Sequence, residues 1–420
     1  MILYRRTMRT SFFRIKKKMD RGMKAIKLKV GVYWVGVIDW DLRNFHGYIT
    51  QRGSTYNAYL IIDEKVTLID NVKSYLFEEM ISRISDIIDP SKIDVLIQNH
   101  TEMDHSGGLP ELIKYLPNTS IYTNANGIKA LKRHFKQDWN FNEIKSGDSI
   151  KIGKRTLTFL TTPMVHWPDN QFTYCPEEKI LFSNDGFGQH IASNERFAKE
   201  LPAGIVMEEA KKYYANIVLP YSKQVKKVLE EAGKWDINMI CPSHGVIWTA
   251  ENIPEILSAY HNWAYNIADD YKALIIYDTM WKSTQKLAYT ISAAFEAEGI
   301  RAQLVNLQTN HISDIMTAVM DAKFIAVGSP TLNSSILPTV AAFLYYLKGL
   351  SPRNKIGLAF GSYGWGGQSI PILHQLLGDP KECGFAMLEP VQVQYIPEEE
   401  ELNRIKSNLQ QQIREKLNAM

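Results

Sequence analysis

The stretch Asn99-His100-Thr101-Glu102-Met103-Asp104-His105-Ser106-Gly107-Gly108 constrains the fold more than any other part of the chain. Four potential metal ligands, His100, Glu102, Asp104 and His105, fall within six positions. Ile93-Asp94-Val95-Leu96-Ile97 before them reads as a short buried strand. Gly107-Gly108-Leu109-Pro110 after them reads as a turn opening a helix. The ligands are therefore expected on a strand-to-helix loop, where a rigid scaffold commonly presents chemistry. Such crowding suits two metals better than one.

Three further single ligands end strand-like segments: His166 after Thr161-Thr162-Pro163-Met164-Val165, Asp185 after Ile180-Leu181-Phe182-Ser183-Asn184, and His244 after Ile240-Cys241-Pro242-Ser243. Taken singly, each has a plain explanation as a hydrogen-bonded histidine or a turn-capping acid. Together they repeat one pattern, a strand and then a ligand with Gly or Pro nearby, so all could line one edge of the same sheets. Around them, Tyr33–Val37, Tyr56–Ile62, Val66–Asp70, Thr156–Thr161, Gln171–Tyr174 and Lys179–Ser183 read as strands. Residues 75–88 have helical spacing of Leu76, Met80, Ile84 and Ile87. Strands in runs with helices between them point to a mixed α/β sandwich of sheets covered by helices.

Residues 272–420 have a different pattern. The apolar run Ala273-Leu274-Ile275-Ile276-Tyr277 leads into Asp278-Thr279-Met280-Trp281-Lys282-Ser283-Thr284 and then a helix carrying Leu287, Ile291 and Phe295. A hydroxyl-rich loop opening a helix offers free backbone N–H groups and the positive helix end to a phosphate, although Ser and Thr also cap helices routinely. Two more strand-to-loop passages follow, into Gly328-Ser329-Pro330-Thr331-Leu332-Asn333 and into Gly361-Ser362-Tyr363-Gly364-Trp365-Gly366-Gly367. The repeat predicts a flavodoxin-like doubly wound parallel sheet with FMN at its switch point. The expected contacts are Thr279, Met280, Trp281, Ser283, Thr284, Pro330, Thr331, Leu332, Asn333, Ser362, Tyr363, Gly364, Trp365 and Gly366, with Tyr363 and Trp365 flanking the flavin ring. Residues 396–420 read as a polar terminal helix.

A chain of 420 residues has room for both domains. It contains no apolar run of about 18 residues, so no membrane span is expected, and its net charge of +3 is too small to point to nucleic acid. Eight basic residues and only Asp20 as an acid lie in residues 1–22. This segment reads as a basic extension for a polyanion or membrane surface, as a targeting segment, or as upstream sequence before a true start at Met19 or Met23. Cys175, Cys241 and Cys383 are scattered, without a C-x-x-C pair, which argues against a disulfide framework or a thiolate metal site and fits a reducing cytoplasm. Electrons must then come from a separate donor.

The ligand pattern resembles the metallo-β-lactamase superfamily, whose hydrolases carry H-x-H-x-D-H. Here Glu102 replaces the second histidine. Four imidazoles and three carboxylates without a thiolate form a hard ligand set that suits iron or manganese at least as well as zinc. With Glu102, the stretch Asp39-Trp40-Asp41-Leu42-Arg43-Asn44-Phe45-His46-Gly47-Tyr48 and the block His166-Trp167-Pro168-Asp169, the chain resembles the flavodiiron proteins, or A-type flavoproteins, from about residue 28 to its end. The resemblance implies a metallo-β-lactamase-like αββα sandwich over residues 23–265, then the flavodoxin-like FMN domain over 272–420. It implies one iron on His100, Glu102 and His166, a second on Asp104, His105 and His244, and Asp185 as the bridge. His46 and Tyr214 (in Tyr213-Tyr214-Ala215-Asn216) are implied either behind the metal ligands or in the substrate pocket, in catalytic roles. No rubredoxin-like extension follows residue 420, which implies the simplest two-domain form.

Family members reduce dioxygen to water, nitric oxide to nitrous oxide, or both, and assemble as head-to-tail dimers in which each flavin faces its partner's irons, some as tetramers. The wording Asp39-Trp40-Asp41-Leu42-Arg43-Asn44 and Gln98-Asn99-His100 most resembles the oxidases of methanogenic archaea, which take electrons from reduced coenzyme F-420. The expectation is therefore a cytoplasmic coenzyme F-420 oxidase holding FMN and two irons. A nitric oxide reductase fed by rubredoxin is the first alternative. A zinc hydrolase with a flavodoxin-like accessory domain is the second, and Glu102 argues against it. A metal-free binding protein is disfavoured because every ligand position is filled.

Overall fold

A computed structural model of the protein describes residues 22–116 and 119–419. The basic extension at 1–22, apart from Gly22, lies outside them. The described chain packs as two units. One comprises the chain up to residue 43 with 50–210 and 224–257, and the other comprises 44–49, 211–223 and 258 onward. The division is thus not a single cut of the chain: a hairpin at 44–49 and a helical segment at 211–223 group with the stretch from residue 258 onward.

The first unit contains a seven-stranded sheet in the order Ile26–Lys29, Val32–Trp34, Tyr59–Ile61, Thr67–Ile69, Val95–Ile97, Ser120–Thr123, Phe141–Glu143. Its first four strands are antiparallel and its last four parallel. A six-stranded sheet runs Ser149–Lys151, Thr156–Thr161, Gln171–Cys175, Ile180–Asn184, Met239–Pro242, Trp248–Thr249. Alternation along the strands explains the layers, because successive side chains face opposite sides. Tyr59, Ile61, Ile69, Val95 and Ile97 join Leu157, Phe159, Ile180, Phe182 and Cys241 in the core between the sheets. Leu60, Leu68, Leu96 and Ile121 point the other way, against Met80, Ile81 and Ile84 of the helix Phe77–Ile87 and Leu131 of the helix Ala125–Phe135. Strands buried on both faces read as unbroken apolar runs, which is why Val95–Ile97 stood out in the sequence.

Two of the expected strands are broken. Tyr33–Val37 divides into Val32–Trp34 and Val37–Asp39, and Tyr56–Ile62 into Ser54–Tyr56 and Tyr59–Ile61. Val37–Asp39 and Ser54–Tyr56 pair in a small sheet of their own. The break lies where the chains cross. A Cβ on Gly36 would come within 2.4 Å of the Tyr56 carbonyl oxygen and 2.7 Å of the Asn57 Cα. Asn57 compensates with its side chain, which donates to the carbonyls of Pro242 and Gly245 and accepts from the Trp34 indole.

In the second unit a parallel sheet runs Arg301–Asn306, Asp269–Tyr277, Ala322–Gly328, Ile356–Tyr363, with Ala386–Met387 and Val391–Gln394 both beside the last. Numbered along the unit the order is 2-1-3-4-5, the doubly wound arrangement expected. Ala273, Ile275, Phe324 and Leu358 pack against the helices Ser283–Ala297 and Glu399–Asn418. The terminal helix is therefore not wholly polar: Leu409 and Ile413 are buried in that core. It starts at Glu399 rather than at residue 396. No helix of the described residues is long and apolar enough to cross a membrane.

Gly36→Ala forces two backbones apart at the crossing. A loss of about 1–3 kcal/mol of unfolding free energy is expected, read from urea denaturation, with an unchanged midpoint as the contrary result.

Candidate metal centre and flavin cavity

The ligand stretch differs locally from the expected loop. Asp104 and His105 sit on a single helical turn, Met103–Ser106, with Glu102 at its N-cap. The Ser106 hydroxyl donates to the carbonyls of Thr101 and Glu102 and tightens the turn. The two glycines that follow let neighbouring chain pack directly against it. A Cβ on Gly107 would lie 2.9 Å from the Ser74 nitrogen, and one on Gly108 would lie 2.5 Å from the Asn71 side-chain oxygen.

All seven predicted metal-ligating side chains are buried and fall into two groups. His100, Glu102, His166 and Asp185 form one, and Asp104, His105 and His244 the other, with the ligand atoms of each group within 4.8 Å of one another. Asp185 faces both. Its Oδ2 lies 3.5 Å from His100 Nε2 and 3.1 Å from His166 Nε2, while its Oδ1 lies 3.0 Å from His105 Nε2 and 3.4 Å from His244 Nε2. One oxygen turned to each group is the disposition of a bridging carboxylate. Glu102 lies 3.3 Å from His166 Nε2, and Asp104 lies 3.4 Å from His244 Nε2. Yet His100 Nε2, His105 Nε2 and both oxygens of Asp104 and of Asp185 make no hydrogen bond. Buried polar atoms normally find partners. Here they converge on common points instead of on hydrogens, which fits metal cations.

Electrostatics point the same way. In the metal-free chain burial opposes charge on His166 and His244, but the carboxylates prevail and push these imidazoles up to about 9 and about 10. Burial likewise opposes charge on Asp185, yet the ring of His105 and its other histidine neighbours hold its carboxyl well below the usual range.

A second layer fixes the ligands. His100 Nδ1 donates to Asp169 Oδ2 at 2.8 Å, an oxygen that also accepts from the Thr101 amide and hydroxyl. Burial raises Asp169, but the His100 ring and these donors hold it low. His244 Nδ1 donates to the Thr55 carbonyl at 2.8 Å. In both rings the proton is thereby directed to Nδ1, leaving the Nε2 lone pair for a metal. Asp70 accepts from the Asn99 amide at 2.7 Å and from the side chains of Asn99, Gln98 and Asn184, tying the ends of three strands together. Burial pushes Asp70 up to about 6. His190, fully buried, shares a hydrogen with the Ser54 hydroxyl and packs 4.8 Å from the His244 ring, and burial keeps it neutral. Sequence reasoning missed Asp70 and His190. Asp70 had the same signature as the ligands, an acid ending an apolar strand; His190 had none.

His46 and Tyr214 both group with the second unit, and neither is among the residues whose ligand atoms converge. His46 is exposed at the tip of the hairpin Asn44–Phe45/Tyr48–Ile49, where it and Gly47 have φ of 53° and 83°. Tyr214 lies in the same unit as His46 and is enclosed. It is a core residue, fully buried, with its hydroxyl 3.1 Å from that of Ser222 and its ring packed on Tyr260 and Trp263.

In the second unit a cavity of about 740 Å³ opens at the carboxyl ends of the strands. Thr279, Met280, Trp281, Ser283, Pro330, Thr331, Asn333, Ser362, Tyr363, Gly364, Trp365 and Gly366 line it. Ser283 begins the long helix Ser283–Ala297, the expected place for a phosphate. Trp281 and Trp365 are 89% and 95% exposed, flat apolar surfaces placed for an aromatic ligand. Two expected contacts lie apart from this lining. The Thr284 side chain is buried, its hydroxyl 2.9 Å from that of Ser362, and Leu332 does not line the cavity. Ser334, Gln368, Tyr395 and Ile396 do line it and were missed. Tyr395 and Ile396 follow the strand Val391–Gln394, and Tyr395 N–H bonds the Tyr363 carbonyl, a placement only strand pairing reveals.

Comparison with known proteins agrees with both domains. Residues 55–245 match the family described as ODP family beta lactamase, and residues 275–406 match flavodoxin. A nitric oxide reductase of Moorella thermoacetica is 45% identical over 91% of this chain and 96% of its own. A coenzyme F-420 oxidase of Methanocaldococcus jannaschii is 40% identical over 90% and 93%. Among solved structures, the rubredoxin oxygen:oxidoreductase of Desulfovibrio gigas aligns with a TM-score of 0.90 at 42% identity, covering 93% of this chain and 98% of its own. The flavodiiron protein of Giardia intestinalis aligns with a TM-score of 0.90 at 34% identity, covering 93% and 96%.

Two outcomes test the centre. Asp169→Asn removes the charged acceptor behind His100, and metal affinity is expected to fall about 10- to 100-fold, read by competition with a chelator. Metal uptake at pH 7 is expected to release protons, because His166 and His244, raised to about 9 and about 10, are protonated in the metal-free chain and must be neutral to bind. Calorimetry in buffers of different ionisation enthalpy reads this release, and loading weakens as pH falls.

Proposed function

Because the chain belongs to the flavodiiron protein family, we propose that this oxidoreductase reduces dioxygen to water with electrons from reduced coenzyme F-420. The observation that carries the reading is one chain holding both a pair of ligand groups spanned by Asp185 and a flavin-sized cavity. When bound, FMN and the two irons together supply the four electrons that convert dioxygen to two waters.

The residues of the chain have separable tasks in this reading. His100, Glu102 and His166 would hold one iron and Asp104, His105 and His244 the other, with Asp185 facing both groups. The three carboxylates would offset the cationic charge of the irons. Asp169 and the Thr55 carbonyl keep the His100 and His244 rings in the orientation and tautomer a metal needs. In the second unit the N-terminus of Ser283–Ala297 takes the phosphate, and Trp281, Tyr363 and Trp365 border the ring. Exposed His46 is assigned to the substrate side of the family's site, with His46→Asn expected to lower turnover without loss of metal.

Nitric oxide reduction is the second reading, favoured by the 45% identity to a protein named nitric oxide reductase. Rubredoxin is the alternative donor, favoured by the structural likeness to a rubredoxin oxygen:oxidoreductase. A head-to-tail homodimer, alone or paired into a tetramer, is the proposed assembly, and a cytoplasmic location is supported by three free cysteines.

Purified active protein is expected to hold about two irons per chain, as a two-metal site requires; stoichiometric zinc with little iron would restore the hydrolase reading. Anaerobic stopped-flow of the reduced protein against dioxygen and against nitric oxide, with reduced coenzyme F-420 or rubredoxin as donor, separates the substrates and the donors. Faster turnover with nitric oxide than with dioxygen overturns the first reading in favour of the second. Mixing a flavin-deficient variant (Ser283→Asp) with an iron-deficient one (His100→Ala, His166→Ala) tests the dimer. Activity is expected to return as subunits exchange, and its absence in verified mixed dimers excludes transfer between chains.

A further inference from the structure

One group of side chains beside the metal centre has no part in ligand binding. The buried ring of Tyr56 packs edge-on against His244, with centroids 5.7 Å apart and an interplanar angle of 76°. Its hydroxyl donates to Asp39 Oδ2 at 3.3 Å. The same oxygen accepts from the Tyr75 hydroxyl at 2.8 Å. Tyr75 is 66% exposed, whereas Tyr56 is wholly buried. Asp39 and Tyr75 both line a surface cleft of about 440 Å³. Two phenols thus share one carboxylate, one phenol against a ligand ring and the other in solvent. Lys73 Nζ lies 4.7 Å from the Tyr56 ring centre and 5.9 Å from that of Tyr75.

Hydrogen-bond economy alone does not explain the arrangement. A single buried phenol could be satisfied by any carbonyl, and an exposed Tyr75 has water available. A phenol is hard to oxidise unless its proton leaves with the electron, so a carboxylate on the hydroxyl is the partner that oxidation requires. Ring contact with a ligand imidazole provides the short path for the electron.

We infer that Tyr56, Asp39 and Tyr75 form a relay that carries single electrons from a reductant in solution to the metal centre when dioxygen reduction has begun with too few electrons. This rests on the metal-centre reading above. Tyr56 gives one electron towards His244 and its phenolic proton to Asp39. Tyr75 then gives one electron to the Tyr56 phenoxyl. Asp39 returns a proton to Tyr56 and takes that of Tyr75, so Tyr56 is restored and the radical lies on exposed Tyr75. A thiol or ascorbate in solution supplies one hydrogen atom's worth of electron and proton to Tyr75, and Asp39 releases its proton to the cleft. In sum, one electron enters the centre, one proton reaches solvent and the reductant is oxidised by one electron. The Lys73 cation over both rings stabilises their unoxidised form, so that only a strongly oxidising centre draws on them.

The test uses metal- and flavin-loaded protein reduced with fewer than four electrons per chain, mixed with dioxygen and freeze-quenched for electron paramagnetic resonance. A tyrosyl signal is expected, narrowed when the protein is grown with ring-deuterated tyrosine. Tyr75→Phe, a change at an exposed position, is expected to leave fully reduced turnover unchanged. It should also lengthen the lifetime of the signal at least tenfold, because the buried radical can no longer pass outward. Tyr56→Phe is expected to abolish the signal while metal content and melting temperature stay within those of the parent. Ascorbate is expected to shorten the lifetime in the parent and not in Tyr75→Phe. A parent that binds iron and consumes dioxygen without any tyrosyl signal overturns the relay alone. A signal unchanged in Tyr56→Phe does the same. A parent without iron or dioxygen consumption overturns the proposed function and the relay with it.

Discussion

Three carboxylates and four imidazoles converge in the interior of one sandwich, and their mutual charge is the constraint on which the rest of this unit depends. Buried carboxylates cannot stay ionised unless positive charge lies beside them. In the metal-free chain protons on His166 and His244 supply part of it, and two metal cations supply it more completely. The ligand atoms left without hydrogen bonds mark the places where those cations belong.

Holding such a cluster requires order beyond the ligands. Asp70 ties the ends of three strands through the side chains and amide of Asn99, Gln98 and Asn184. Asp169 orients His100, and the Thr55 carbonyl orients His244. Thr55 can do so because the chain crosses itself at Gly36 and Asn57, which turns Ser54–Tyr56 out of the main sheet into a small one of its own. A break that looks like a fault in two strands is thus part of the metal site. The same crossing puts Tyr56 against His244 on one side and Asp39 on the other.

The flavin unit follows a different logic. Its cavity is built from loops after parallel strands, where a helix N-terminus and hydroxyl groups meet a phosphate. Two nearly bare tryptophans border it. Exposed indoles on a folded unit are costly to leave in water, which accords with surfaces meant to be covered by a ring or by another chain. The cavity suits a ligand recognised by shape and phosphate, whereas the metal-site residues suit cations matched by charge and ligand hardness.

The sequence by itself determined the two-domain order and pointed to the seven side chains that the structure brings together. Both depend on local signals: a ligand after an apolar strand, and a hydroxyl- or glycine-rich loop before a helix. It also carried most of the cavity lining, because that lining lies on three contiguous loops. Tertiary structure alone decided the remainder. The pairing of His100 with Asp169, the tying of three strand ends by Asp70 and the joining of Tyr395 to the cavity link residues far apart in the chain, and no periodicity records such contacts. The hairpin 44–49 and the segment 211–223 group with the second unit although both precede residue 258, where that unit's main stretch begins, because packing follows complementary surfaces and not chain order. The Tyr214 hydroxyl meets that of Ser222, a contact that residue type alone does not record.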